Sequence, residues 1–242
     1  SDLYSNLWAM PILNMVYYAA EWGGWWKPWA NTIAYYDFEN NLNDTSGNWN
    51  NATWSNVLYE QVWGQYVVKN DNNCQIQIPQ LWASIGNWDF TIAFWLNAIN
   101  PWSWQYPMLF GLWTDTSYYA YIFYDPLNNY GWWDKIVWQM NWVHYFGTAS
   151  SLYNSWHHLA MIRRSWTVYC YIDGTEVGNF SATTTFWGNW TSYIFSRYQS
   201  YNGHQYWGNT WAKADKYIIE KVWWSASDVA DYYNQTKSTY GY

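Results

Sequence analysis

The run from Glu39 to Asn48 holds the densest set of ligating oxygens in the chain: Glu39, Asn40, Asn41, Asn43, Asp44 and Asn48. A calcium ion takes six to eight oxygens from carboxylates, amide carbonyls and main chain, so this loop has the right chemistry for one. The same residues also make an ordinary Asx-rich turn capped by its own side chains, and both readings stand on composition alone. A second candidate is the polar-aromatic stretch Tyr193–Trp211. Sugar binding asks for aromatic faces beside amides and carboxylates, and Tyr198, Tyr201, Asn202, His204 and Tyr206 are the residues there to test. A surface loop packed by its own aromatics is the competing account. His157 and His158 are adjacent; on a strand they point to opposite faces and do not readily share one ion. No phosphate-cradling GxxxxGK[ST] or GxGxxG run is present, and no local signature of a Ser-His-Asp or Cys-His nucleophile.

Charge narrows the partners. Seventeen Asp and Glu against ten Lys and Arg give a net charge of −7, the wrong sign for tracking a nucleic-acid backbone. No apolar run reaches the roughly 18 residues of a membrane-spanning helix; Met10–Ala20 comes nearest and is too short. Cys74 and Cys170 allow one disulfide, and fit equally well as two small buried residues.

The elements that must position these groups read as short strands. Phe90, Ile92, Phe94 and Leu96 alternate with Thr91, Ala93 and Trp95. Ile76 and Ile78 do the same, as do Trp156, His158, Ala160 and Ile162, and Val168, Cys170 and Ile172. The last run ends at Asp173-Gly174, a hairpin signal. Many short strands with little helix between them predict an all-β, two-sheet antiparallel sandwich. One short C-terminal helix is expected: Ser225-Ala226-Ser227-Asp228 has capping-box spacing, and Val229, Tyr232 and Tyr233 fall at i, i+3, i+4. Its expected place is across one end of the sandwich. Residues 1–31 read as an N-terminal extension or linker and 32–242 as the sandwich.

Tryptophan is anomalous, at 26 of 242 residues, and many stand where a turn belongs. Gly47-Asn48-Trp49 and Ser165-Trp166-Thr167 are examples. Turns of this kind often need φ > 0, easy for Gly and costly for a bulky side chain. A codon that means Trp in one genetic code and Gly in another would put Trp at such sites, whereas Trp95 and Trp156 sit inside strand patterns. Turn tryptophans are therefore left out of any binding site.

Six segments in order resemble the laminin-G-like, concanavalin A-like jelly-roll family: Tyr36–Asn48, Cys74–Pro79, Asp89–Leu96, Trp156-His157-His158-Leu159-Ala160, Val168–Gly174, and Asp215–Asn234. The resemblance covers about residues 32–236 and implies a jelly roll that recognises a glycan or a protein partner at a cell surface or in secreted form. It also implies a calcium site at Glu39, Asn41, Asp44 and Asp215, the last because the family often has an acid in its closing strand near that loop. The Glu-x-Asp-x-(x)-Glu strand of the family's glucanases is absent. A non-enzymatic adhesion or lectin module is the expectation. Behind it come a structural subunit of a filament, appendage or envelope that self-assembles through residues 1–31, and then a glycoside hydrolase.

Overall fold

The computed structural model describes residues 31–71, 74–78, 89–99, 108–113, 119–125, 135–140, 142–183, 192–195, 197–198, 205–206 and 211–241. The chain divides into two compact units, residues 1–30 and 31–242. The first lies outside the described residues, and with it the expected extension and its proposed assembly role.

The second unit contains seventeen strands among its described residues. In chain order they are β1 (Thr32–Tyr36), β2 (Thr53–Ser55), β3 (Leu58–Val62), β4 (Gln65–Asp71), β5 (Gln75–Ile78) and β6 (Phe90–Ala98). Next come β7 (Met108–Trp113), β8 (Tyr119–Asp125), β9 (Lys135–Met140), β10 (Trp142–Thr148), β11 (Trp156–Arg164) and β12 (Thr167–Ile172). The last are β13 (Thr175–Ser181), β14 (Ser192–Ile194), β15 (Arg197–Tyr198), β16 (Gln205–Tyr206) and β17 (Trp211–Glu220). An eight-stranded sheet runs β13-β12-β11-β6-β17-β4-β3, with β1 also paired to β17. A seven-stranded sheet runs β10-β9-β8-β7-β14-β5-β2, and β15-β16 form a separate hairpin. The antiparallel β-sandwich read from the alternation is the observed architecture.

The two sheets share one core. Ile92, Phe94 and Leu96 of β6, Leu159 and Met161 of β11, and Val168 and Cys170 of β12 face Ile76 and Ile78 of β5, Phe110 of β7, Ile122 of β8 and Ile136 and Trp138 of β9. Tyr217 of β17 joins the layers, with its ring 5.0 Å from that of Phe94 and 5.8 Å from that of Phe110. Burying each such side chain contributes about 1.5–3 kcal/mol, so period-two patterning is enough to fix which face of every strand turns inward. Cys74 and Cys170 are both buried and are not joined in a disulfide.

The central strands β6 and β11 of the large sheet are buried on both faces, and the outer cover comes from the helix α1 (Ala226–Thr236). Ser225 caps it: its Oγ accepts from Asp228 N at 3.2 Å, and Asp228 Oδ2 accepts from Ser225 N at 2.7 Å. The capping box is the one expected, but the helix lies elsewhere than expected. It covers the outer face of the large sheet instead of closing an end. Trp95 and His158 point away from the core, and α1 with the turn behind it supplies their cover through Tyr232, Tyr233 and Tyr240. A large indole and an imidazole on an outward strand face need such a lid, which the end of the sandwich would not have provided.

Candidate functional site

Strand register lines up two rows of outward side chains across the large sheet. In the first, His158 pairs with Trp95, and Trp95 with Asp215. In the second, Trp156 pairs with Asn97, Asn97 with Lys213, Lys213 with Lys69, and Lys69 with Leu58. The C-terminal segment covers the first row and, through Tyr240, the Trp156 end of the second. Beyond it opens a cleft of about 610 Å³.

The cleft wall combines the chemistries that recognition of a polar ligand needs. Trp156 and Tyr240 form its aromatic side, rings 4.9 Å apart. Asn97, Asn154, Ser155 and Gln61 bring amides and a hydroxyl. Glu60 accepts from Lys213 Nζ, and its other oxygen lies 3.1 Å from Lys69 Nζ. Those hydrogen bonds, led by the one from Lys213, hold the Glu60 carboxyl below its ordinary range. Glu60 is the only carboxylate among the described residues lining the cleft. Glycoside hydrolysis normally uses two facing carboxyl groups, and this wall provides one, already paired with lysine.

A different arrangement sits at the cleft's edge. Ser155 Oγ lies 2.8 Å from His157 Nε2, and His157 Nδ1 lies 2.7 Å from Asp173 Oδ2. Asp173 Oδ1 also accepts from His158 N. Hydroxyl, imidazole and carboxylate thus stand in the order of a nucleophile, its base and the base's orienting group. The sequence offered no local signature for this, because the three meet only when the start of β11 folds against the β12–β13 turn. The side chains of His157 and His158 do part to opposite faces, as strand geometry requires.

The four residues expected to hold calcium are placed as follows. Asp44 is buried; its Oδ1 accepts from Tyr35 N and Ser46 N, both at 2.9 Å, and its Oδ2 from Asn50 N at 3.0 Å. Asn41 Oδ1 accepts from Asn43 N at 2.8 Å, and Glu39 Oε2 from Tyr66 N at 3.3 Å. Asp215 is fully buried under Tyr240, whose hydroxyl donates to Oδ2 at 2.7 Å, while Lys216 N donates to Oδ1. Burial pushes the Asp215 carboxyl up to about 7, against the opposing pull of Lys216 and Tyr240. Among the described residues no group of three or more His, Cys, Asp or Glu comes together as a cation cage. As arranged, the set does not fit a calcium ion: Asp44 serves as the acceptor that folds the turn, and Asp215 is a desolvated acid. Asp44→Ala is expected to leave three main-chain N–H groups without their acceptor and to cost about 1–3 kcal/mol, read by urea denaturation with and without added calcium.

Of the expected ligand residues, Tyr198 and Tyr206 lie on the β15–β16 hairpin, opposite Gln205 and Arg197. Tyr201, Asn202 and His204 fall outside the described residues. The cleft was missed because its residues come from β3, β6, β11, β17 and the C-terminal turn, and only the fold brings them together.

Comparison with known proteins agrees with this architecture. The profile of the concanavalin A-like lectin/glucanases superfamily matches residues 69–215. No curated protein matches the chain in sequence. Among solved structures, the binding domain of Paraclostridial Mosquitocidal Protein 1 superposes with a TM-score of 0.66 at 16% identity, covering 85% of this chain and 52% of that one. Domain 4 of AbnA, an extracellular GH43 arabinanase from Geobacillus stearothermophilus solved with arabinotriose, gives 0.62 at 17%, covering 83% and 97%. Trypanosoma rangeli sialidase gives 0.66 at 14%, covering 90% of this chain and 34% of the sialidase. The chain thus spans about half of the mosquitocidal binding domain, and at these identities the likeness is one of fold.

Proposed function

The chain belongs to the concanavalin A-like lectin/glucanases superfamily, and we propose that it works outside the cell as a recognition module, taking a glycan in the cleft beside Trp156 and Tyr240. The observation that carries this reading is the cleft beside Trp156, over the part of the second row that Tyr240 does not cover. Aromatic carbon, amides, a hydroxyl and a lysine-carboxylate network surround one volume of about 610 Å³ that the C-terminal segment leaves uncovered. A sugar ring offers the complementary surface, with an apolar C–H face for an aromatic wall and hydroxyls for the polar groups. Arabinotriose on the AbnA domain and a sialylated sugar on a botulinum neurotoxin binding domain are ligands of proteins with this fold, and they support the ligand class without identifying it.

A glycan array tests the reading. Glu60→Gln and Asn97→Ala are expected to lower binding at least tenfold with an unchanged melting midpoint. Stability should hold because a part-exposed ion pair contributes only about 0–1 kcal/mol. An array blank for the parent chain sinks the glycan reading and leaves a protein partner as the ligand. Because the calcium donor set is a poor fit, binding is expected to survive chelator; its loss would return calcium to the Glu39–Asn48 loop. Tyr198→Ala and Tyr206→Ala, in the same array, separate the β15–β16 hairpin from the cleft as the ligand face. Assembly through residues 1–31 is read separately, as a change in particle size when they are removed.

The Ser155–His157–Asp173 alignment favours a second reading, acyl transfer. In it Ser155 Oγ attacks an ester carbonyl as His157 takes its proton, the C–O bond to the departing alcohol breaks with that proton returned to it, and water then hydrolyses the acyl-serine. A fluorophosphonate probe should label the chain, and Ser155→Ala should abolish the label. An unlabelled parent chain makes the alignment a brace between β11 and the β12–β13 turn.

A further inference from the structure

The tryptophans with described side chains fall into two groups. Trp95, Trp138, Trp156 and Trp224 are at most 4% exposed, and three of them donate from Nε1: Trp95 to Thr236 Oγ1, Trp138 to Phe146 O and Trp224 to Glu220 Oε2. Trp49, Trp63, Trp142, Trp166 and Trp223 are at least 41% exposed. None lies between.

Backbone geometry divides them further. Trp49, Trp63 and Trp166 have φ of 62°, 47° and 68°, while all four buried tryptophans lie outside the positive-φ set. In the left-handed region the Cβ of an L-residue meets its own carbonyl, at about 1–2 kcal/mol; for a bulky residue it is a true outlier. The hairpins identify what belongs there. Asp173-Gly174 joins β12 to β13 with φ of 49° and 76°. Ser165-Trp166 joins β11 to β12 with 48° and 68°, and Trp63-Gly64 joins β3 to β4 with 47° and 86°. All three are two-residue turns with both φ positive, which demand Asn, Asp or Gly. Asp-Gly meets that demand; Trp-Gly breaks it at the tryptophan, and Ser-Trp breaks it at both positions, with the bulkier side chain at Trp166. Trp49 is 85% exposed, so no packing offsets its strain. Trp166 does lie against Arg163, 4.6 Å from ring centroid to guanidinium carbon, a contact that leaves its φ in the left-handed region.

One codon accounts for the division between the three strained tryptophans and the four buried ones. UGA specifies tryptophan in some genetic codes and glycine in others, whereas UGG specifies tryptophan in both. We infer that positions 49, 63 and 166 are glycine in the protein its own cell makes, and that the buried tryptophans are genuine. The cleft then has Trp156 and Tyr240 as its aromatic wall, with no indole at position 63.

Reading the gene decides the matter at seven codons. The inference requires UGA at 49, 63 and 166 and UGG at 95, 138, 156 and 224; UGG at the first three overturns it. Peptide mass spectrometry of the protein isolated from cells that carry the gene gives a second readout, with glycine expected at the three sites and tryptophan there refuting it. A recombinant W49G/W63G/W166G chain is expected to melt several degrees higher than the chain as written, and a lower midpoint would count against the inference. W95G, by contrast, should abolish cooperative unfolding.

Discussion

Trp95→Ala is expected to cost about 3–5 kcal/mol, the range for truncating a large buried aromatic, and to release the C-terminal segment from the sheet. Trp95 is fully buried, yet it belongs to the outer face of β6, not to the layer between the sheets. Its ring stacks on Tyr240 at 4.1 Å and on Tyr233 at 5.7 Å, and its Nε1 donates to Thr236 at 3.0 Å. One side chain therefore contacts both the end of α1 and the turn that follows. Removing it leaves a cavity, takes one donor from Thr236 Oγ1, which keeps its bond to Tyr232 O, and uncovers His158. The loss should show in two ways: a fall in the urea midpoint, and tryptic cleavage at Lys237 under conditions where the parent chain resists. The second readout distinguishes local release from uniform weakening. If Lys237 stays protected while stability falls, α1 is held by contacts other than Trp95. Because Tyr240 also lines the cleft, release of the segment should abolish glycan binding even though Trp95 does not line it.

How much of this was legible in the sequence depends on whether the information is periodic or assembled. Phe90–Leu96 and Val168–Ile172 give their inward faces directly, because period-two burial needs no knowledge of the partner strand. Ser225 and Asp228 give the helix start, because a cap is local. Asp173-Gly174 gives its turn for the same reason. The position of α1 was not legible: Trp95 and Thr236 are 141 residues apart, and nothing near either announces the other. The cleft fails the same way, since Glu60, Asn97, Trp156 and Lys213 share a site only through the register of five strands. The oxygen-rich loop is a different case: its composition suits both an ion and a self-capped turn, and the three N–H bonds to Asp44 are what the turn contributes.

Protonation divides the outer layer into two groups with opposite signs. Asp215 has a folded value of about 7 against an ordinary 3.8, raised by burial. Below about pH 4 the carboxyl is neutral in both folded and unfolded chains. As pH rises further, the unfolded chain releases the proton while the folded chain keeps it, so stability is lost between about pH 4 and 7 at about 1.4 kcal/mol per pH unit. Asp215→Asn has no proton to release, and its Nδ2 can donate to the Tyr240 hydroxyl. Its stability relative to the parent chain is therefore expected to grow with rising pH across that window. His158 behaves inversely: burial depresses its folded value to about 3 from 6.5, with Asp173 pulling weakly the other way. Its contribution is intact above pH 6.5 and lost as pH falls toward 3. Both ring nitrogens are buried without a hydrogen-bond partner among the described residues, and the ring lies against Trp95, Tyr232 and Tyr233. His158→Phe keeps that packing and removes the titration, so its advantage over the parent chain should grow with falling pH. Glu220, raised to about 7 by burial, adds its own loss from about pH 4.5 upward in the parent and both variants alike, and cancels in each comparison. Urea midpoints for the three chains from pH 4 to 7.5 resolve the two slopes. A flat Asp215→Asn difference would mean that the carboxylate ionises in the folded chain as readily as in water, a result that a cation bound beside Asp215 would produce and the hydrogen bond from Tyr240 alone would not.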